Sequence, residues 1–345
     1  MKTLLVTGGC GFIGSQFIKL VLREQPQYRI VNFDLLTYAG NLENLANEER
    51  TRDRSAYDFM WGDISDPKLV EKTIGGEGVD AIINFAAETH VDRSLLDSAP
   101  FLRTNVEGTR VLLDSASRLG VQRFLQISTD EVYGSLEPSD PPFTEVHPLR
   151  PNSPYAASKA AADLLVRAYH KSYGFPALIT RCGNNYGPYQ FPEKFLPLFI
   201  TNALDDLPLP LYGDGRQIRD WIHVEDHARA LLRVLEEGKV GETYNVSANG
   251  EQANLHMAER VLSLMGKPPS LLRYVTDRPG HDRRYGIDAG KLCRELGWQP
   301  RISLDDGLLA TINWYREQRG WWERIKNGEY RKYYEQQYGE RLGEQ

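Results

Sequence analysis

The sequence predicts an α/β fold: a doubly wound, Rossmann-like parallel sheet with a smaller mixed C-terminal substrate domain. Three observations carry that reading. Apolar strands and amphipathic helices alternate over the first half of the chain. The strands are apolar at nearly every position, as in strands buried on both faces. A glycine-rich turn, "VTGGCGFIG" (6–14), stands between the first strand and the first helix. Strand–helix alternation with right-handed crossovers gives such a sheet helices on both faces.

The elements follow in order. "TLLVT" (3–7) is a strand, "FIGSQFIKLVLRE" (12–24) a helix and "YRIVNFD" (28–34) a strand. "PKLVEKTI" (67–74) has helical spacing, and "DAIINFAA" (80–87) is a strand. A long helix over 100–120 leads to the strand "RFLQIST" (123–129), and a second over 155–174 leads to "PALITRC" (176–182). From residue 183 prolines and glycines dominate to about 225, and helices recur over 226–237, 254–265 and 303–318. The boundaries expected are therefore 1–182 for the first domain, 183–330 for the second, with some segments returning to the first, and 331–345 for a charged, aromatic tail with no assigned role.

Composition sets bounds. At 345 residues, 41% apolar and 26% charged, the chain can bury one large or two modest cores. A net charge of −6 argues against a general nucleic-acid binder. Cys10, Cys182 and Cys293 lack metal-ligand spacing, which predicts reduced thiols, no bound metal and a cytoplasmic protein. No apolar run is long enough to cross a bilayer. The opening "MKTLLVTGGCGFIG" begins like a leader peptide, but glycines break its apolar run, so it reads as a strand.

Gly8, Gly11 and Gly14 permit a tight turn and close approach of the backbone to a pyrophosphate, which would face the N–H groups of the following helix. Asp34 ends the second strand twenty residues after Gly14. A carboxylate there accepts hydrogen bonds from a ribose diol and repels a 2′-phosphate, which selects NAD over NADP. The other reading of Asp34 is a cap or turn residue. Asp63, in "GDIS", reads either as an adenine contact or as a turn residue.

Tyr155 and Lys159 stand four apart in "YAASK", on one face of a helix. An ammonium near the phenol, with the positive charge of NAD+, is expected to lower the tyrosine pKa toward neutrality and make a base. "STDEVYG" (128–134) sets Asp130 beside Glu131 at the end of a buried strand. Two close carboxylates in a dry site cannot both ionise cheaply, so one keeps its proton. Consecutive strand residues point to opposite faces. Both reach one ligand only if the backbone turns, and Gly134 suits such a turn.

These features together resemble the extended short-chain dehydrogenase/reductase family, and within it the branch that dehydrates nucleotide sugars. The strings that carry the resemblance include "NFAAETHVDRS" (84–94), "STDEVYG", "SPYAASKAAAD" (153–163), "NNYGPYQFPEK" (184–194), "LPLYGDG" (209–215), "IRDWIHVEDHARAL" (218–231) and "DRPGHDRRYGID" (277–288). The resemblance implies NAD as cofactor, held by Gly8, Gly11, Phe12, Ile13, Gly14, Asp34, Leu35, Leu36, Thr37, Asp63 and Ile64. It adds Phe85, Ala86, Ala87, Thr104, Tyr155, Lys159 and Asn185 to that set.

The same resemblance assigns Glu131 as the base at carbon 5, Asp130 as the acid for the carbon-6 hydroxyl, and Thr129 to the carbon-4 oxygen beside Tyr155. It implies dTDP-glucose as substrate, bound by Thr89, Thr129, Asn184, Lys194, Phe195, Pro210, Leu211, Tyr212, Arg219 and Asn254. The run Asp277, Arg278, Pro279, Gly280 and His281 completes that set. Arg219 and Lys194 suit the diphosphate and Tyr212 the base. Read alone, Arg219 with Asp220 is equally a surface ion pair, and Tyr212 a core residue. Three positions depart from the usual pattern: Cys10 for Ala, Thr89 for Ser and Gly183 for Ser.

The resemblance also implies a homodimer that pairs the helices 100–120 and 155–174 with their copies in a four-helix bundle. The rival readings are a UDP-glucose dehydratase, a nucleotide-sugar 4-epimerase on the same fold, and a catalytically silent NAD-binding regulator. An epimerase has no need of Asp130 beside Glu131, and a silent regulator leaves Thr129, Tyr155 and Lys159 unexplained.

Overall fold

The computed structural model describes residues 2–51 and 55–328, together with Tyr334 and Tyr338. Most of the tail at 331–345 therefore lies outside the described residues. The main sheet has seven strands: β1 (Lys2–Thr7), β2 (Tyr28–Asp34), β3 (Tyr57–Trp61), β4 (Ala81–Asn84), β5 (Arg123–Thr129), β6 (Ala177–Cys182) and β10 (Thr243–Val246). Their order is β10-β6-β5-β4-β1-β2-β3, and every pairing is parallel.

Alternation along β1 explains the two layers of helices. Leu4 and Val6 enter one core, with Phe17 and Val21 of the helix Phe12–Glu24 and Leu231 of the helix Val224–Glu237. Leu5 enters the opposite core, with Leu112 of the helix Thr109–Arg118 and Val166 of the helix Pro154–Tyr173. All of these side chains are at most 1% exposed, and each stabilises the fold by about 1.5–3 kcal/mol. The strand order reverses between β1 and β4. A doubly wound sheet opens a crevice at the carboxyl ends of its strands at that point, and the predicted functional residues cluster there.

Two predicted elements differ in detail. The strand expected over 80–87 ends at Asn84. Phe85 N still donates to Thr7 O, and the chain then leaves the ladder so that Phe85, Ala86 and Ala87 line the crevice. The long helix over 100–120 runs from Ala99 to Arg118, but Leu102–Gly108 forms a π-helical turn. That turn contains Asn105, whose side chain bonds Glu88 and Ser158 instead of facing solvent. Wide turns of this kind collect at functional sites.

After β6 the chain forms smaller sheets. β7 (Asn184–Tyr186), β9 (Ile218–His223) and β11 (Glu251–Ala253) make a mixed three-stranded sheet. β8 (Leu209–Tyr212) pairs in parallel with β12 (Leu272–Val275). Helices Phe195–Leu204, Asn254–Met265 and Leu304–Glu317 pack a separate core around Ile200, Met257, Val261, Leu308 and Ile312. β10 returns to the edge of the main sheet, beside β6. Among the described residues no helix is long and apolar enough to cross a membrane.

Candidate active site

One cleft at the carboxyl ends of β1, β4, β5 and β6 gathers most of the predicted residues. The glycine turn forms its floor. Gly8 has φ +68°, and a Cβ there would lie 2.6 Å from Ala86 N, so only glycine lets this turn close on the strand beside it. The helix Phe12–Glu24 begins after Gly11 with no side chain capping its first turn. Its N–H groups are therefore available to an anion, and Gly11, Phe12, Ile13 and Gly14 all line the cleft.

Asp34, 7% exposed, stands at the rim of this floor. Its Oδ2 accepts from Cys10 N and its Oδ1 from Leu36 N, both at 2.8 Å. Burial raises its pKa despite these bonds. Asp63 lines the cleft and also shapes a turn: Oδ1 accepts from Ser65 N at 2.8 Å, and Oδ2 pairs with Arg103 at 2.9 Å. Leu35, Thr37, Ile64, Thr104 and Asn185 line the same cleft, while Leu36 does not. Asn185 is held by donation to Gly183 O at 3.1 Å and by His227 Nδ1, 2.8 Å from its Oδ1.

The backbone turn required at Asp130 and Glu131 is present. β5 ends at Thr129, and Asp130–Tyr133 form one turn of 3₁₀ helix. Thr129 Oγ1 caps it by accepting from Glu131 N at 3.3 Å. Gly134 closes it at φ +89°, where a Cβ would sit 2.4 Å from Arg150 O. Both acidic side chains face the cleft as a result.

The electrostatics separate the two carboxyls. Asp130 is pushed well above the usual carboxylate range by burial first, then by Glu131 and Asp220. Glu131 is also raised by burial, but Arg278, Arg219 and Lys194 oppose that rise. Asp130 Oδ2 and Glu131 Oε2 are buried without hydrogen-bond partners among the described residues. Asp130 is thus held toward its protonated form, while cations favour the carboxylate at Glu131.

Tyr155 and Lys159 project from the helix Pro154–Tyr173 into the same cleft. The helix starts on Ser153, whose Oγ accepts from Ala156 N at 3.1 Å. Ser94 Oγ accepts from Tyr155 N at 3.2 Å, and Lys159 Nζ donates to Ile127 O at 2.7 Å. The protein's own groups push the Tyr155 phenol well above its ordinary range, through burial first and then Glu131, with Thr129 opposing them. Lys159 is itself buried, burial lowers its pKa, and its ammonium donates to Ile127 O.

The residues expected at the sugar nucleotide fall into two groups. Thr89, Thr129, Asn184 and Lys194 line the cleft, and Lys194 Nζ donates to Thr89 O at 3.0 Å. The rest lie outside the cleft lining. Arg278 pairs with Asp92 at 3.1 Å, and Tyr212 donates to the other oxygen of Asp92 at 3.2 Å. His281 Nδ1 lies 2.6 Å from Asp277 Oδ1. Arg219 is 5% exposed and donates to Ile218 O and Asp282 O, so it is a buried cation and not half of a surface ion pair with Asp220. Phe195 packs on Phe199 and Trp221, and the Leu211 side chain is buried in an apolar cluster. Asn254 opens a helix, and Pro210 belongs to β8.

Sequence reasoning missed a group that closes the cleft. Arg93 lies over the Tyr38 ring at 4.1 Å and pairs with Glu193 at 3.0 Å. Tyr38 meets Phe191 edge to face at 5.5 Å. Trp321 lines the cleft and donates to Asn44 Oδ1 at 3.2 Å. Arg93 and Glu193 stand in strings that carry the family resemblance, but these contacts span up to 277 residues of sequence and have no periodic signature.

The family model for GDP-mannose 4,6 dehydratase matches residues 5–311. A dTDP-glucose 4,6-dehydratase of Actinoplanes sp. is 50% identical over 324 residues, covering 92% of this chain and 99% of that protein. The crystal structure of DesIV, a dTDP-glucose 4,6-dehydratase from Streptomyces venezuelae with NAD bound, superimposes with a TM-score of 0.90. It is 50% identical and covers 94% of this chain and all of that one. A UDP-glucose 4-epimerase from Thermotoga maritima is more distant, at 28% identity and a TM-score of 0.83 over 91% of this chain and 99% of that one.

Proposed function

The chain belongs to the GDP-mannose 4,6 dehydratase family, and from that premise we propose that it is an NAD-dependent dTDP-glucose 4,6-dehydratase. The product is dTDP-4-keto-6-deoxy-glucose, released with one water. The observation that carries this reading is the buried turn that brings Asp130 and Glu131 into one cleft with Tyr155, with burial raising Asp130 and cations opposing the rise at Glu131.

The glycine turn, the uncapped helix start and Asp34 fit a dinucleotide with a free ribose diol. When bound, NAD supplies the hydride acceptor for carbon 4 and later the hydride donor for carbon 6. Tyr155 takes the carbon-4 hydroxyl proton, with Thr129 beside it. The resulting ketone acidifies the carbon-5 hydrogen, which Glu131 removes. Asp130 gives its proton to the departing carbon-6 hydroxyl, and carbon 5 takes up a proton as hydride reaches carbon 6, which completes the 4-keto-6-deoxy sugar. Two groups with divergent pKa values are what such an elimination requires. Lys194, Arg219 and Arg278 suit the diphosphate, and Tyr212 the thymine.

Two further parts of the reading rest on the surface and on cysteine chemistry. Leu102, Leu164 and Tyr173, on the helical run 99–118 and the helix Pro154–Tyr173, are 55%, 56% and 71% exposed. An apolar face of this kind suits a homodimer through a four-helix bundle. Three free cysteines among the described residues, two of them buried, suit a reducing cytoplasm.

The test uses dTDP-glucose and UDP-glucose in separate incubations in deuterated water. Loss of water by mass, with deuterium at carbon 5, is expected from dTDP-glucose. Epimerisation without loss of water would contradict the assignment, and faster turnover of UDP-glucose would move it to the UDP sugar.

A further inference from the structure

Behind the cleft lies a buried polar circuit built on Arg181, Asp163, Tyr133 and Asn245, none of which lines the cleft. Arg181 on β6 is the register partner of Ser128 on β5, one residue before Thr129. Its side chain turns away from the cleft. Nε donates to Asp163 Oδ2 at 2.9 Å, and Nη1 donates to the Tyr133 hydroxyl at 2.8 Å. Tyr133 donates in turn to Asn245 Oδ1 at 2.8 Å, and Asn245 Nδ2 reaches Phe143 O at 3.0 Å. Exposures of 6%, 1%, 1% and 0% for Arg181, Asp163, Tyr133 and Asn245 place the whole circuit in the interior.

Its two ends matter. Tyr133 is the last residue of the 3₁₀ turn that begins with Asp130 and Glu131. Asp163 stands one helical turn after Lys159, on the same face. Lys159 ties the same helix to β5 by its bond to Ile127 O. The turn with the acid–base pair and the helix with Tyr155 and Lys159 are thus braced against each other through one guanidinium.

A buried ion pair is weak evidence for stability, because apolar residues of similar volume do as well or better. A planar fork that bonds two partners in fixed directions does supply geometry. We infer that Arg181 is a positioning residue: through Tyr133 and Asp163 it holds the Asp130–Glu131 turn in register with Tyr155. This inference rests on the dehydratase reading above.

The test separates the two halves of the reaction with Tyr133→Phe, which removes one hydroxyl and keeps the ring stacked on Phe143 at 5.1 Å. In the holoenzyme, the rise of reduced nicotinamide reports sugar oxidation, and water loss by mass reports elimination. Displacement of the turn should slow elimination by about 10- to 100-fold. Oxidation should be little changed, so reduced cofactor accumulates. Arg181→Lys keeps the charge, loses the fork and is expected to give the same split, which covers the case of a Tyr133→Phe protein that does not fold. Equal losses in both halves, or no loss in either, would overturn the positioning role alone. A wild-type protein that fails to release water from dTDP-glucose would overturn the dehydratase reading itself.

Discussion

Lys159 Nζ lies 2.7 Å from Ile127 O, so the helix that carries Tyr155 is fastened to the strand that ends at Thr129, just before Asp130. The bond is buried, and burial lowers the Lys159 pKa while Asp163 raises it. Lys159→Met keeps much of the side-chain volume and removes the donor. It leaves Ile127 O unmatched, a loss of about 1–3 kcal/mol. Lys159 shares a helix and a cleft with Tyr155, so oxidation at carbon 4 should fall by about 100-fold or more. Thermal melts and the burst of reduced cofactor check the two effects separately.

Gly134 and Gly120 make a matched pair of left-handed glycines. Gly134 has φ +89° and no room, because an added Cβ would meet Arg150 O at 2.4 Å. Gly120 has φ +69° and open space around it. Gly120→Ala should cost only backbone strain, on the order of 1 kcal/mol, with turnover retained. Gly134→Ala should lose clearly more stability, and turnover with it, since the acidic turn must shift. Melting temperature and dehydration rate for both variants test this.

Much of this was legible in the sequence, and the reasons are physical. The main sheet follows from strands with no polar face and from helices whose apolar residues recur at helical spacing. The 254–265 helix matches in full, and the one expected over 226–237 begins two residues earlier, at Val224, where His223 caps it. The turn at Asp130 followed from a simple conflict: adjacent strand residues cannot face one ligand. What stayed hidden was long-range or electrostatic. No periodicity announces that Trp321 donates to Asn44, or that Arg93 covers Tyr38. Spacing brings Lys159 to the Tyr155 face of the helix, but it does not show that Ile127 O accepts from the ammonium or that burial raises the phenol.

Asp220 gives a pH signature. It is 1% exposed, accepts from Ser247 and Gly250, has Glu251 near it, and burial pushes it up to about 6. A carboxyl raised in the folded state holds its proton where the unfolded chain has released it. Unfolding therefore releases protons between about 4 and about 6, and stability falls as pH rises through that window, then levels off. The Asp220 share of the fall is about 3 kcal/mol. Asp34, Asp130, Glu88 and Glu193 are raised as well and add slope of the same sign. Melts of wild type and Asp220→Asn across that range should diverge by the Asp220 share, with the variant losing less stability toward neutral pH.

The central claim is that Glu131 acts after the sugar is oxidised and not before. Glu131→Gln keeps the shape of the turn and its bond to Thr129, and removes only the base. Mixed with dTDP-glucose in a single turnover, this variant should reduce its bound NAD and then stall, with water loss slowed by about 100-fold or more. Normal release of the 4-keto-6-deoxy product by the variant, with no accumulation of reduced cofactor, would contradict the account.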